Sequence, residues 1–128
     1  MNTYCYSWQA ELSEEHCEAI KLLFAEGNVK EAEIGNVANI DKSIRSSNIL
    51  PCPFDSENGI YLDRIMNKYI TMANRECFGV NLNGFKEFQV AKYGKGDFYD
   101  YHMDSNIQDN RSQRKLSITV QLSDSIDY

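Results

Sequence analysis

The stretch Lys92–Asp104, KYGKGDFYDYHMD, ends on His102-Met103-Asp104 and holds one of the two histidines in the chain. In an extended segment, side chains at i and i+2 share a face, about 7 Å apart along the strand. His102 and Asp104 then project together, and Met103 points away. An imidazole nitrogen and a carboxylate oxygen aimed at a common point are two of the three ligands of the 2-His-1-carboxylate triad that holds non-haem Fe(II). Three ligands on one face leave three coordination positions for an oxidisable cosubstrate and O2. The spacing alone also fits a hydrogen-bonded surface pair, so the elements around it carry the discrimination.

Those elements belong to a chain of 128 residues, which fits a single domain, 1–128. Hydrophobic residues at 42% and aromatics at 12% supply a core and argue against disorder. With 13 basic against 19 acidic residues, the net charge of −6 argues against nucleic-acid and anionic-membrane partners, which need a basic surface. Only RSQRK, Arg111–Lys115, is dense enough in positive charge to suggest an anion contact. The start, MNTYCYSWQAELSEEHC, lacks a basic segment followed by an apolar one, and no apolar run approaches a membrane span. Four cysteines lie far apart with no CxxC pair, which favours reduced thiols in a cytoplasmic setting over a disulfide framework or a cysteine zinc site.

Along the chain, Tyr4, Tyr6 and Trp8 alternate with the period of a half-buried strand. A first helix is predicted from an N-cap at Ser13, through Glu14 and Glu15, with Cys17, Ile20 and Phe24 on one face and Gly27 as its stop. A short strand is expected near Ser43–Ser47. PCPFDSENG reads as turn, because two prolines and an Asn-Gly break regular elements. A second helix is predicted from about Ile60 to Cys77, with Leu62, Ile65/Met66, Tyr69, Ala73 and Cys77 on its core face. Beyond Gly79, FKEFQVAKY, DFYDYHMD and KLSITVQLS read as three strands, the first two separated by a turn at Gly94-Lys95-Gly96. The order predicts an α+β domain with helices packed on an antiparallel sheet.

Phe88–Leu122 resembles the prolyl 4-hydroxylase-like branch of the 2-oxoglutarate and Fe(II)-dependent dioxygenases. In that family a strand ending in Tyr-Gly is followed by a glycine turn, a Tyr and His-x-Asp, matched here by Tyr93, Gly94, Gly96, Tyr99, His102 and Asp104. An Arg and a strand ending in Leu before an acidic turn follow, matched by RKLSITVQLSD from Arg114 to Asp124. Upstream, IRSS at Ile44–Ser47 is similar to the family's Arg-Ser strand. The resemblance runs roughly from Leu12 to Tyr128.

It implies helical support over about 12–80 and the first core strands over about 85–123 of an antiparallel double-stranded β-helix, or jelly roll, truncated in this chain. It also implies Fe(II) held by His102 and Asp104, with 2-oxoglutarate as cosubstrate and ascorbate as an accessory reductant. Tyr93 would lie near the 2-oxoglutarate, where a phenol can hydrogen-bond a carboxylate, and Tyr99 would shape the pocket. Ser117, Thr119 and Gln121 alternate with Leu116, Ile118, Val120 and Leu122, so one set can face the site while the other packs. Thr119 and Gln121 thereby join the cosubstrate-contact candidates, although relatives often carry Tyr where Gln121 stands. For Tyr93 and Tyr99 the competing role is aromatic packing. Arg45 and Arg114 read as structural or ion-pairing residues, and His16 as a surface residue of the first helix.

The implied activity couples oxidative decarboxylation of 2-oxoglutarate, to succinate and CO2, with hydroxylation of a C–H bond in a peptide or small molecule. The family's Gly-Gly-Glu-like segment supplies a distal His ligand and leads to the basic residue that pairs with the 2-oxoglutarate carboxylate. SDSIDY closes this sequence without a further His after Asp104. The expectation is therefore a fragment of a longer enzyme. The alternatives are a half-domain completed by a second copy or another chain through open sheet edges, and a non-catalytic binding module derived from the fold.

Overall fold

A computed structural model describes residues 5–32, 41–84, 87–104 and 114–127. Its architecture is α+β: two helices and two small, open antiparallel sheets. Helix α1, Glu14–Glu26, starts where Ser13 Oγ accepts the His16 N–H at 3.2 Å and ends at Gly27. Its one fully buried residue is Ile20, with Cys17 and Phe24 half-buried on the same side.

Helix α2, Glu57–Ala73, begins three residues earlier than its apolar stripe suggests. Ser56 caps it by accepting the Gly59 N–H at 3.0 Å, while the same hydroxyl donates to the Pro53 carbonyl at 2.7 Å. Asn58-Gly59 thus sits in a helical first turn, not in a loop. The reason is close approach: a Cβ on residue 59 would overlap the Pro53 carbonyl oxygen, so only glycine lets the helix start this near the strand end. The buried face is Gly59, Leu62, Met66, Tyr69 and Ala73. A single π-helical turn, Asn74–Phe78, continues it to Gly79, whose φ of 61° is the left-handed conformation that stops helices.

The strands are β1 (Lys30–Glu31), β2 (Arg45–Ser46), β3 (Asn48–Pro53), β4 (Glu87–Lys92) and β5 (Phe98–Tyr99). One sheet has the order β1-β3-β4, the other pairs β2 with β5. The strand β3 overturns the reading of Pro51-Cys52-Pro53 as turn. Backbone polar groups along a strand alternate between its two neighbours. Ser47, whose carbonyl accepts the Ala32 N–H at 3.0 Å, shares its side with residues 49, 51 and 53. The missing proline N–H groups therefore fall on the β1 side, and β1 reaches only Asn48 and Ile49. Leu50 and Cys52 keep their N–H groups for β4, so the prolines cost the β4 ladder nothing.

Gly94-Lys95-Gly96 is a turn, but it does not fold β5 back onto β4. Both strands pair with the same upstream segment, β4 with β3 and β5 with β2. Ser46 to Asn48 on one side faces Phe98 to Lys92 on the other, so Tyr93–Asp97 loops out of a single interrupted ladder. Three interactions fold that loop: the Asp97 N–H donates to the Gly94 carbonyl (3.0 Å), the Gly94 N–H to Asp97 Oδ2 (2.8 Å), and Ser46 Oγ to Asp97 Oδ1 (2.6 Å). These bonds, the Ser46 hydroxyl foremost, hold the Asp97 carboxyl below its ordinary value.

The core lies between the helices and β3–β4, formed by Ile20, Leu50, Cys52, Leu62, Met66, Tyr69 and Val90. Burying a side chain such as Leu62 stabilises by about 1.5–3 kcal/mol. Residues 5–8 form no strand, yet Trp8 packs edge-on against Tyr69 at 5.3 Å, so its burial was legible though its conformation was not. Tyr4 lies outside the described residues. The expected strand at DFYDYHMD shrinks to Phe98–Tyr99, and 115–123 is not a strand, although Leu122 still reaches the core. The strand content expected over about 85–123 is thus confined, among the described residues, to β4 and β5, and the described sheets do not close into a jelly roll. No described helix is long and apolar enough to cross a membrane, and all four cysteines are free thiols.

Candidate metal centre

The backbone at His102–Asp104 is not a strand, so the route by which the two side chains meet differs from the expected one. They meet all the same: His102 Nε2 lies 3.1 Å from Asp104 Oδ1. The other ring nitrogen, Nδ1, is 2.8 Å from the Asp100 carbonyl oxygen. A carbonyl only accepts, so Nδ1 carries a proton and donates it there. Nε2 then faces a carboxylate, either through a second proton or through a cation shared with Asp104. Donation of the far N–H to a backbone carbonyl is how metal-binding histidines are commonly oriented.

Asp104 is held below its ordinary pKa first by a hydrogen bond from Ser117. Partial burial opposes that shift, while His102 and Arg114 add favourable charge. The hydrogen bond and the nearby positive charge favour the ionised form of this carboxylate. Of the alternating residues from the 115–123 segment, Ser117 is the one brought to the pair; Thr119 and Gln121 are exposed.

Tyr99 stacks on His102, with ring centroids 3.6 Å apart and planes 9° from parallel. This is an aromatic contact with the pair itself rather than with a distant pocket wall. Tyr93 lies on the looped-out segment, 44% exposed. Arg45 takes the structural role, one of the two expected of it, and not the surface ion pair. It is buried, its Nε donates to Ser47 Oγ at 3.0 Å, and its guanidinium carbon lies 4.4 Å from the Tyr99 ring centre. His16 is exposed on α1, as expected.

Two ligands bound about 2.1 Å from an octahedral ion at right angles stand about 3 Å apart. The Nε2–Oδ1 separation fits such a cis pair. Among the described residues no third His, Cys, Asp or Glu joins them. The described residues thus offer two candidate ligands at a separation an octahedral ion would accept. Sequence reasoning missed Asp100, which acts through its backbone carbonyl and leaves no side-chain signal, and Asp97, whose spacing from Gly94 was a readable turn signature. No protein-family model, curated protein or solved structure matches the chain.

Proposed function

We propose that the chain carries the iron half-site of a 2-oxoglutarate- and Fe(II)-dependent dioxygenase of the prolyl 4-hydroxylase-like kind, an oxidoreductase that hydroxylates a C–H bond. The observation that supports this most is the His102 Nε2–Asp104 Oδ1 approach of 3.1 Å, with Nδ1 engaged by the Asp100 carbonyl. When bound, iron supplies the coupling of O2 and 2-oxoglutarate to oxidation of the substrate. The chain's own residues do simpler work. His102 and Asp104 would hold the ion, Ser117 hydrogen-bonds the Asp104 carboxylate and favours its ionised form, and Tyr99 limits the swing of the imidazole. Tyr93, Thr119 and Gln121 are exposed and available to a cosubstrate. On this reading the two open sheets are part of a jelly roll. The reading also requires further strands, a third ligand and a basic partner for the 2-oxoglutarate carboxylate, which the described residues do not bring together here.

The test is calorimetric titration with Mn(II) as a redox-inert stand-in. Wild-type protein should bind one ion per chain, and His102→Ala should abolish binding while leaving helicity unchanged. Absence of binding in the wild type, or equal binding by His102→Ala, would overturn the proposal.

A further inference from the structure

We propose that Arg45 is a positioning residue for the His102–Asp104 pair, acting through Tyr99, so that the short β2–β5 ladder sets the direction of the imidazole. The consequence for metal affinity rests on the iron reading above; the geometry stands independently of it.

Arg45 is 8% exposed. Burying a guanidinium is costly unless its donors and its charge are used. One donor goes to Ser47, and the planar group lies over the Tyr99 ring, where the negative face of the aromatic attracts a cation. This contact is built into the backbone: Arg45 and Tyr99 are directly opposite in the β2–β5 register, which places both side chains on one face. Tyr99 in turn forms the platform against which His102 stacks.

A second link begins one residue away. The Asp100 N–H donates to the Ile44 carbonyl at 2.8 Å, and the Asp100 carbonyl accepts from His102 Nδ1. Both constraints on the imidazole therefore trace to residues 44 and 45, far from it in sequence. The stack fixes the ring plane and the carbonyl bond fixes the rotation within that plane, which leaves Nε2 aimed at Asp104. A lysine in place of Arg45 would keep the charge but lose the flat, stackable fork.

The chain has two histidines, and His16 on α1 provides an internal reference. Proton–carbon NMR of metal-free protein should show the His102 ring protons shielded relative to His16 by the Tyr99 ring. In Arg45→Met, with β3–β4 amide resonances unchanged as a sign of folding, that shielding should be largely lost. Arg45→Lys should lose part of it, and it carries the test if Arg45→Met fails to fold. Mn(II) affinity should fall by about tenfold or more in Arg45→Met, the usual effect of removing an outer support of a metal ligand. Undiminished shielding in a folded Arg45 variant would overturn the positioning role. If wild-type protein binds no Mn(II) but Arg45→Met still loses the shielding, the iron reading falls and the positioning role is supported.

Discussion

The α2–β3–β4 layer and the arm from Phe98 to Asp104 are held in opposite ways. In the layer, Leu50, Cys52, Leu62, Met66, Tyr69 and Val90 bury one another, and apolar contact predominates. In the arm the ladder is two residues long, and Tyr101 and Met103 stand in solvent. Order there comes from separate directed contacts: Asp100 to Ile44, His102 to Asp100 and Asp104, and Tyr99 between Arg45 and His102. Apolar burial is non-directional and fixes where elements lie. Hydrogen bonds and stacked rings weaken steeply with angle, so they fix where an individual nitrogen points. The His102–Asp104 pair has the second kind of order, set on a frame made by the first.

That contrast predicts a ranking of effects. Leu62→Ala should be the most damaging, costing about 2–5 kcal/mol in urea denaturation because it empties a well-packed site. The arm should be lost in the same transition, since its supports, Ile44 and Arg45, run directly into β3; an unchanged midpoint would remove Leu62 from the core. Ser56→Ala should cost about 1 kcal/mol by uncapping α2, with the arm's contacts intact at mild denaturant. A loss below a few tenths would mean that the Ser56 cap is not formed in solution.

The smallest effect belongs to the looped-out turn. The folded-state pKa of Asp97 is depressed below 3.8, so its contribution to stability is present above that value and is lost as pH falls through the lower folded one. Ser46→Ala removes the largest cause of the depression. It should move the carboxyl-carbon NMR titration of Asp97 up toward 3.8 and soften the acid-side loss of stability, while α2 stays helical at neutral pH. A titration curve that does not move would show that the Ser46–Asp97 bond is not kept in solution.

The sequence was most legible where one side chain or one periodicity decides a local outcome. Ser13 and Gly27 bound α1, and the Leu62–Met66–Tyr69–Ala73 stripe faces the core, as expected. It misled where the answer depended on a neighbour. Pro51 and Pro53 look like breakers until β1 is seen to end before them. Gly59 looks like a turn until the Pro53 carbonyl is found against it. Val120 and its neighbours alternate like a strand, but among the described residues no partner strand pairs with them.

Composition and pattern by themselves determined an acidic α+β chain with a first helix capped at Ser13, a second helix with an apolar stripe, a strand within FKEFQVAKY, and a His and an Asp near enough in sequence to converge. Those outcomes follow from propensities and periods that act within a few residues. Tertiary structure alone decided that the convergence is direct, at 3.1 Å and without a strand. It also decided that Asp100 and Tyr99 orient the imidazole, and that a buried Arg45 lies behind them. These depend on the register of Arg45 against Tyr99, a pairing across more than fifty residues that no local rule encodes.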